Sequence, residues 1–328
     1  MKAGLRRGLA ALCLVWGALA AAAPASGPVS LVFAGDIVLD GAVGEMIARG
    51  QDPFADWAAV FGQADIRLGN LECVIATTGV AGKKNFTFRA HPRTLPVLRR
   101  HFDALALANN HSGDFGRAAF AQMLGLLDTS GLGYFGGGHD LAQAHAPLII
   151  ERKGLRIALL SYSEFMPRSF EADYNAPGIA WSEDEQVVAD IKKARTVYGA
   201  DLVIPVMHWG WENEPLSGPR QRQLARLMVD AGADAVIGGH PHVTQEIEHY
   251  QGKPVIYSVG NFVMEESDND NQRRGWVLRL QLDKQGVVSL ETIAAQISLT
   301  GVPQRSREVA SPCWHRGESG LNLCWTPD

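Results

Sequence analysis

The sequence lacks several features that would point to particular classes of protein. Acidic residues outnumber basic ones only slightly, 35 against 30, and the formal net charge of −5 gives no reason to expect nucleic acid or an anionic membrane surface as a partner. No linker, low-complexity tract or internal repeat divides the 328 residues, which are enough to bury a large core. After its N-terminal segment, the chain is therefore predicted to form one globular domain without a nucleic-acid partner.

A long apolar run occurs only near the N-terminus. Lys2, Arg6 and Arg7 precede the apolar stretch 9–23, which ends in small residues. This layout is typical of a secretory signal peptide, and the stretch is short and alanine-rich for a membrane span. We predict that residues 1–25 are a signal peptide and that the protein is exported to the periplasm or the cell surface. An uncleaved N-terminal membrane anchor is the alternative.

Cysteine is scarce, with four in the whole chain. Cys13 lies inside the predicted signal peptide, so three cysteines remain after export. Cys313 and Cys324 flank a short segment, and in an oxidising compartment we expect a disulfide that holds the C-terminal tail, residues 301–328. Cys73 is left over beside apolar residues, which predicts a buried and inert thiol in preference to a reactive one.

Short apolar runs of strand length are abundant in the rest of the chain. Seven of them lie between Val29 and Phe262, and helical spacing occurs between them, in 117–127, 183–198 and 218–231. Continuous apolar runs are typical of strands buried on both faces, and strands that alternate with helices are typical of layered α/β domains. Residues 276–293 alternate apolar and polar side chains around a Lys-Gln-Gly turn and predict a hairpin. We predict an α/β domain over residues 26–300.

Polar side chains with metal-binding potential stand at the ends of these runs. They are Asp36, Asn70, Glu72, Asn109, Asn110, His111, His208, His240, His242 and Asn261. In open α/β sheets, ligand-binding groups gather at the carboxyl ends of the strands, where loops fan out above a rigid base. Each residue alone has an ordinary explanation, as a turn former, a helix cap or a packed histidine. Their repeated occurrence at strand ends favours a shared metal site.

His240 and His242 are the most specific pair in this set. They follow Gly238 and Gly239 and flank Pro241. A residue before proline is pushed towards an extended conformation, and side chains at i and i+2 of an extended segment face the same side. The two glycines leave room for a close approach of the backbone. The segment therefore predicts a metal clamp made by two imidazoles.

The types of donor indicate how many ions the site holds. Two carboxylates, one amide oxygen and three imidazoles are more than one four-coordinate zinc needs. They fit two divalent ions that share a carboxylate, and manganese, iron and zinc all suit such nitrogen and oxygen ligands. Two ions carry more positive charge than two carboxylates neutralise, which favours an anionic substrate such as a phosphoryl group.

Six short motifs together resemble one known family. In order along the chain between Val29 and Val263, they are AGDIVLD, GNLE, ANNHSGDFG, HWGWE, IGGHPHVTQ and YSVGNF. This combination is similar to the CapA family of polyglutamate-capsule synthesis proteins, within the calcineurin-like metallophosphoesterase superfamily. The resemblance implies a four-layer α/β/β/α sandwich with the metal site at the strand ends, and a link to the synthesis of capsule or poly-γ-glutamate.

The resemblance also assigns metal ligands. Those implied for the first ion are Asp36, Glu72 and His242, and those implied for the second ion, with Glu72 shared, are Asn110, His208 and His240. The superfamily usually has a histidine two residues after the first aspartate, where this chain has Val38. The first ion would then bind weakly, be absent, or recruit another ligand such as Asp40.

Further roles follow from the same resemblance. His111 would face the substrate and protonate the leaving group, and Asp114 would orient it. Asn261 and Glu212 would contact the substrate or support the ligands. His145 matches nothing in the family pattern and is predicted to lie at the surface.

Two classes of function remain open at this point. The first is a metal-dependent hydrolase of a phosphoester or a polymer amide, with His111 as the acid. The second is a non-catalytic component of anionic-polymer synthesis or export that holds polyglutamate or a polysaccharide in the metal cleft. His111 favours the enzyme, because a binding module has little need for a proton donor beside Asn110. In either case, membrane components of capsule synthesis are candidate partners.

Overall fold

Two β-sheets lie face to face at the centre of the structure, which is a computed structural model. It describes residue 1 and residues 27–165, 168–265, 269–306 and 309–324. Apart from Met1, the predicted signal peptide lies outside these residues. Among the helices that are described, none is long and apolar enough to cross a membrane. The division of the chain into signal peptide, domain and tail stays a prediction.

The strands and helices alternate over most of the chain. The strands are β1 (Val29–Ile37), β2 (Ile66–Leu71), β3 (Val74–Ile75), β4 (Arg89–Ala90), β5 (Ala104–Ala106), β6 (Gly133–Phe135), β7 (Gly137–Gly138), β8 (Leu148–Arg152), β9 (Leu155–Ser163), β10 (Gly178–Ile179), β11 (Leu202–His208), β12 (Val236–Gly239), β13 (Ile247–Tyr250), β14 (Lys253–Ile256), β15 (Asn261–Val263), β16 (Arg274–Asp283), β17 (Gly286–Ile297), β18 (Pro303–Arg305), β19 (Ser311–His315) and β20 (Asn322–Cys324). The α-helices are α1 (Gly41–Ala48), α2 (Ala58–Gly62), α3 (Leu95–His101), α4 (Gly116–Ser130), α5 (Leu141–Ala144), α6 (Asp184–Thr196) and α7 (Pro219–Ala231).

The larger sheet has ten strands and the smaller one six. The larger runs in the order β20-β19-β17-β16-β1-β2-β5-β6, with β15 beside β1 and β18 beside β17, and the smaller runs β13-β14-β12-β11-β9-β8. Strands β1, β2, β5 and β6 are parallel to one another, as are β9, β11 and β12. Strands β16 and β17 form the hairpin that the alternating pattern predicts.

Three apolar clusters separate four layers of structure. Leu31 and Phe33 of β1 face the smaller sheet, whereas Val32 and Ala34 face helices α1 to α4. Beyond the smaller sheet, a third cluster packs its outer face against α6 and α7. Successive residues of a strand point to opposite faces, so a sheet covered on both sides needs the continuous apolar runs found in the sequence. The four-layer α/β/β/α sandwich is confirmed.

Two cysteine predictions are also confirmed, and one histidine prediction is wrong. Cys313 in β19 and Cys324 in β20 form the expected disulfide. Cys73 is buried, and burial raises the pKa of its thiol to about 12, so it stays protonated. His145 is buried and not at the surface, because its Nδ1 lies 2.7 Å from Oδ2 of Asp190, 45 positions away on α6. Nothing in the sequence near His145 indicates that Asp190 is its partner.

Candidate metal centre

The predicted metal ligands lie where the carboxyl ends of strands from both sheets meet. Asp36 of β1 is paired in register with Asn70 of β2 and with Asn261 of β15. His208, the last residue of β11, is paired with Gly239 of β12. Parallel strands bring their carboxyl ends to one edge of a sheet, so side chains far apart in sequence become neighbours there.

The glycines ahead of His240 allow the backbone to approach closely at this edge. A Cβ atom at Gly239 would lie 3.0 Å from Oδ1 of Asp36, and one at Gly238 would lie 2.1 Å from the carbonyl oxygen of Tyr257. The backbone N–H of His240 in turn donates to Oδ2 of Asp36, at 3.3 Å. The close approach expected from these two glycines is confirmed.

Four predicted ligands converge on one point and form what we call the second donor group, made of Glu72, Asn110, His208 and His240. Nε2 of His208 lies 2.7 Å from Oδ1 of Asn110, 3.2 Å from Oε1 of Glu72 and 3.1 Å from Nδ1 of His240. Glu72, His208 and His240 are all buried. Two imidazole nitrogens, an amide oxygen and a carboxylate are the donors that zinc, manganese and iron accept.

Asp36, Glu72 and His242 form the first donor group. Their ligand atoms lie within 4.8 Å of one another, with Nδ1 of His242 3.4 Å from Oδ2 of Asp36 and Nε2 of His242 3.9 Å from Oε1 of Glu72. Glu72 therefore belongs to both groups, in the position that the resemblance gives to a bridging ligand. Asp40 is not a member, because its carboxylate accepts hydrogen bonds from the backbone N–H groups of Gly41 and Arg89.

The environment of the Glu72 side chain shows whether these residues are suited to bind a cation. Its carboxylate is completely buried, and neither oxygen has a hydrogen-bond partner among the described residues. A buried carboxylate without hydrogen bonds is costly unless a cation neutralises it. Divalent ions held by the two donor groups would neutralise this carboxylate, so the donor set fits the metal that the resemblance implies. The number and identity of the ions stay predictions.

The electrostatics of the two histidines differ. Burial, followed by the nearby charges of His208, His242 and His111, holds the pKa of His240 well below its ordinary value. Burial acts in the same direction on His242, but Glu72 and Asp36 outweigh it and raise the pKa of His242 to about 10. His240 is thus neutral and able to bind a cation at pH 7, whereas His242 must first lose a proton.

The backbone at the two histidines differs from the sequence prediction. His240 and His242 have φ angles of 93° and 58°, so the segment is a tight turn and not an extended stretch. The carbonyl oxygen of Pro241 accepts a hydrogen bond from the N–H of Asn213, at 2.9 Å, which holds the turn. Tertiary contacts have overridden the local preference of the residue before proline. As a result the histidines enter different donor groups instead of forming one clamp.

Two asparagines hold the ligands in place. Nδ2 of Asn70 donates to Oδ1 of Asp36 at 2.7 Å, and Oδ1 of Asn261 lies 2.8 Å from Nδ1 of His242. Nδ2 of Asn261 donates to the carbonyl oxygen of Gln272, so both ends of this buried amide are engaged. Asn261 therefore orients His242, which agrees with the expectation that it supports the ligands, and its contact with a substrate stays a prediction.

Glu212 lies apart from both donor groups. Its side chain is exposed on the loop after β11. The hydrogen bond from the N–H of Asn213 to Pro241 places this loop next to the two histidines, but the described structure shows no contact between the Glu212 carboxylate and a donor. Its role in substrate binding stays a prediction.

The predicted acid, His111, lies beside the second donor group. Its expected partner Asp114 contacts a further residue, Lys84, which the sequence did not indicate. Nδ1 of His111 lies 2.8 Å from Oδ2 of Asp114, as expected. Oδ1 of Asp114 is 2.5 Å from Nζ of Lys84, which also donates to the carbonyl oxygen of Asn110 at 2.9 Å. The N–H of Phe88 donates to Oδ2 of Asp114 as well. Lys84 lies in a polar stretch of ordinary loop composition, so only folding reveals it.

Comparison with known proteins places these features in a family. The family described as "Bacterial capsule synthesis protein PGA_cap" matches residues 30–266. The PGA biosynthesis protein CapA of Bacillus subtilis is 32% identical over 243 residues, which cover 72% of this chain and 63% of that protein. The capsule biosynthesis protein CapA of Bacillus anthracis is 30% identical over 246 residues, which cover 72% of this chain and 60% of that protein. The match thus spans less than two thirds of either relative.

Solved structures with a similar chain path include two enzymes. The NAD nucleotidase of Haemophilus influenzae has a TM-score of 0.48 and 13% identity, over 92% of this chain and 60% of that one. The sulfate thiohydrolase SoxB of Thermus thermophilus has a TM-score of 0.47 and 16% identity, over 83% of this chain and 57% of that one. The family match covers most of the described chain and includes every residue of both donor groups. The chain therefore belongs to the bacterial capsule synthesis protein family PGA_cap.

Proposed function

We propose that this protein is an exported, metal-dependent hydrolase that acts in the synthesis of an anionic polymer of the capsule or poly-γ-glutamate type. Membership of the family and its similarity to proteins of PGA and capsule biosynthesis support the link to polymer synthesis. Membrane components of capsule synthesis are its proposed partners. The N-terminal sequence, with basic residues ahead of an apolar run, supports export.

The main observation in support of hydrolase activity is the position of Glu72. Its buried carboxylate, without hydrogen bonds, is shared by two donor groups, and the second of these stands beside a His-Asp pair. A metal centre with an adjacent proton donor is suited to hydrolysis, whereas a site that only binds a polymer would have little need for the donor. The first donor group would hold one ion and the second donor group the other. Divalent ions bound there supply a Lewis acid for a phosphoryl or carbonyl oxygen.

The remaining residues provide the proton and its orientation. Nδ1 of His111 faces Asp114, which leaves Nε2 as the nitrogen that delivers a proton to the departing oxygen or nitrogen. Asp114 is itself fixed by Lys84 and by the N–H of Phe88, and the Phe88 ring packs on the imidazole with its centroid 4.6 Å away. His111 is therefore held in one orientation before a substrate arrives.

The test is hydrolysis of diphenyl phosphate, whose leaving phenolate needs a proton, and of poly-γ-glutamate by the mature chain, with and without Mn²⁺. We expect metal-dependent turnover of at least one of them that falls by about 10² or more in His111→Ala, the usual contribution of general acid catalysis. Metal content should not change in this variant. His139→Ala is the matched control, because His139 is about half exposed, with a side-chain exposure of 46%, and contacts neither donor group in the described structure.

A metal-loaded protein that binds poly-γ-glutamate but cleaves neither compound would contradict the hydrolase and identify a polymer-holding component instead. Export is tested separately, by cell fractionation and by sequencing the N-terminus of the mature protein. A protein confined to the cytoplasm with an intact N-terminus would contradict that part of the proposal.

A further inference from the structure

A cavity of about 390 Å³ opens beside the second donor group. Phe165 lines the cavity, and its ring centroid lies 3.9 Å from that of the His240 imidazole. Phe165 also meets Trp211 edge to face, with centroids 5.9 Å apart. A substrate held at the donor groups would therefore enter the cavity along the ring of Phe165.

The walls of this cavity offer apolar surface. Its lining includes Phe165, Trp209, Trp211, Pro219 and Leu224. The polar groups at its base are already engaged: Nε1 of Trp209 donates to the carbonyl oxygen of Tyr257 at 2.9 Å, and Nε2 of Gln221 donates to Oε1 of Gln245 at 3.0 Å. A ligand would thus meet aromatic and aliphatic faces and few free hydrogen-bonding groups.

Arg220 is the one cation among the described residues that line the cavity, and it is not available to an anion. Nε of Arg220 lies 2.6 Å from Oε1 of Glu164, and its NH2 atom lies 2.7 Å from Oδ1 of Asp184. Two carboxylates thus surround one guanidinium, which leaves the rim with an excess negative charge. A phosphoryl group or a glutamate side chain would be repelled there, whereas an uncharged ring would not.

We propose that this cavity is a subsite for a planar aromatic ring carried by the molecule whose phosphoryl group occupies the metal centre. The proposal rests on the proposed function and adds the chemical class of the group next to the scissile bond. The ring would pack in the cavity against Phe165 and against Trp211, whose side chain is 72% exposed and so presents a free aromatic face. Pockets of this kind, apolar and adjacent to polar reactive groups, are typical ligand sites.

The experiment compares phenylphosphonate with methylphosphonate, neither of which is hydrolysed, by calorimetric titration of the Mn²⁺-loaded protein. We expect phenylphosphonate to bind about tenfold tighter or more, because burial of one phenyl ring is worth at least that factor. Trp211→Ala and Phe165→Ala should each reduce the ratio to about threefold or less, and Trp211→Ala should leave methylphosphonate binding unchanged. Tyr174→Ala is the matched control, because Tyr174 is 81% exposed and lies outside the cavity lining.

The two proposals fail in different ways. Equal affinity for both phosphonates would overturn the subsite and leave the hydrolase intact. If neither phosphonate binds, phosphoester hydrolysis as the proposed function is contradicted, and quenching of tryptophan fluorescence by 4-nitrophenol in the metal-free protein then decides the subsite. Saturable quenching that disappears in Trp211→Ala would support the aromatic subsite, and its absence in the wild type would overturn it.

Discussion

The charges of individual residues at the metal centre depend on one another. Glu72 is a buried carboxylate without hydrogen bonds in the described structure, His240 is held neutral by burial, and His242 is held protonated by Glu72 and Asp36. Burial of these charged groups costs free energy when no cation is bound, and a bound cation offsets that cost. Substitutions here should therefore change metal binding and the stability of the metal-free protein in opposite directions.

Replacing Glu72 with glutamine tests that relation. The neutral amide removes a buried charge that lacks hydrogen bonds, so the metal-free variant should be more stable than the metal-free wild type by about 1–3 kcal/mol. The same variant should lose most of its bound metal. Urea unfolding in EDTA and elemental analysis of the purified protein measure the two effects. Glu212→Gln, on an exposed side chain, should change neither, and full metal content in Glu72→Gln would contradict the site.

Metal binding should release a proton from His242. Its pKa of about 10 keeps the imidazole protonated between pH 7 and 8 in the metal-free protein, and the nitrogen must be deprotonated to bind a cation. Metal affinity should therefore fall as the pH is lowered. Titration calorimetry with Mn²⁺ in buffers of different ionisation enthalpy should show the release of about one proton. A binding enthalpy independent of the buffer would argue against His242 as a ligand.

At the scale of elements, the segment between β3 and β4 covers the predicted acid. The N–H groups of Thr77 and Thr78 donate to Oε1 of Gln122 on α4, which ties one end of the segment to that helix. Towards its other end, Lys84 contacts both Asp114 and the backbone of Asn110. One loop thus links a helix, the His-Asp pair and a metal ligand.

Lys84→Ala should release this loop. We expect kcat to fall by about tenfold or more, because Asp114 loses the cation that fixes it, whereas metal content should change little. Steady-state kinetics with diphenyl phosphate, whose leaving phenolate needs a proton, provide the measurement. Lys84→Arg should recover part of the activity, which a purely structural defect would not allow. The adjacent and exposed Lys83 provides the control substitution to alanine, and a Lys84→Ala enzyme with unchanged kcat would show that the contact is incidental.

At the scale of the whole molecule, the metal centre joins the two sheets. Asp36, Glu72 and Asn110 come from strands of the larger sheet or the loops after them. His208 ends a strand of the smaller sheet, and His240 and His242 lie in the turn after another of its strands. Between the sheets elsewhere, the contact is apolar packing of side chains from both inner faces. Ions at the edge would add bonds across that interface.

Divalent ions should therefore raise the unfolding temperature of the whole domain. At an ion concentration of 100 times Kd, binding to the folded state alone adds about 2.7 kcal/mol to the free energy of unfolding. Calorimetric scans with Mn²⁺ and with EDTA measure the shift. His208→Ala should abolish most of it, and an unchanged melting temperature on addition of Mn²⁺ would contradict a centre shared by the two sheets.

The sequence by itself determined the layered α/β class, the buried strands, the disulfide between Cys313 and Cys324, and the residue types gathered at strand ends. These features depend on periodicity and residue chemistry within short segments, which a sequence displays directly. The six motifs also sufficed to indicate the family. Local information is therefore enough to predict which elements form and which of their residues can bind a cation.

The resemblance implied the two ligand sets, but only the tertiary structure decided which contacts hold those residues in place. Asn110 and His208 are 98 positions apart, and His145 and Asp190 are 45 apart, yet each pair is in contact. The turn at Pro241, the contact of Lys84 with Asp114 and the cavity beside Phe165 likewise arise where separate segments pack together. Such contacts depend on the register and packing of whole sheets, and no short segment encodes them, so the sequence identified the donors while the packing of the two sheets determined their partners.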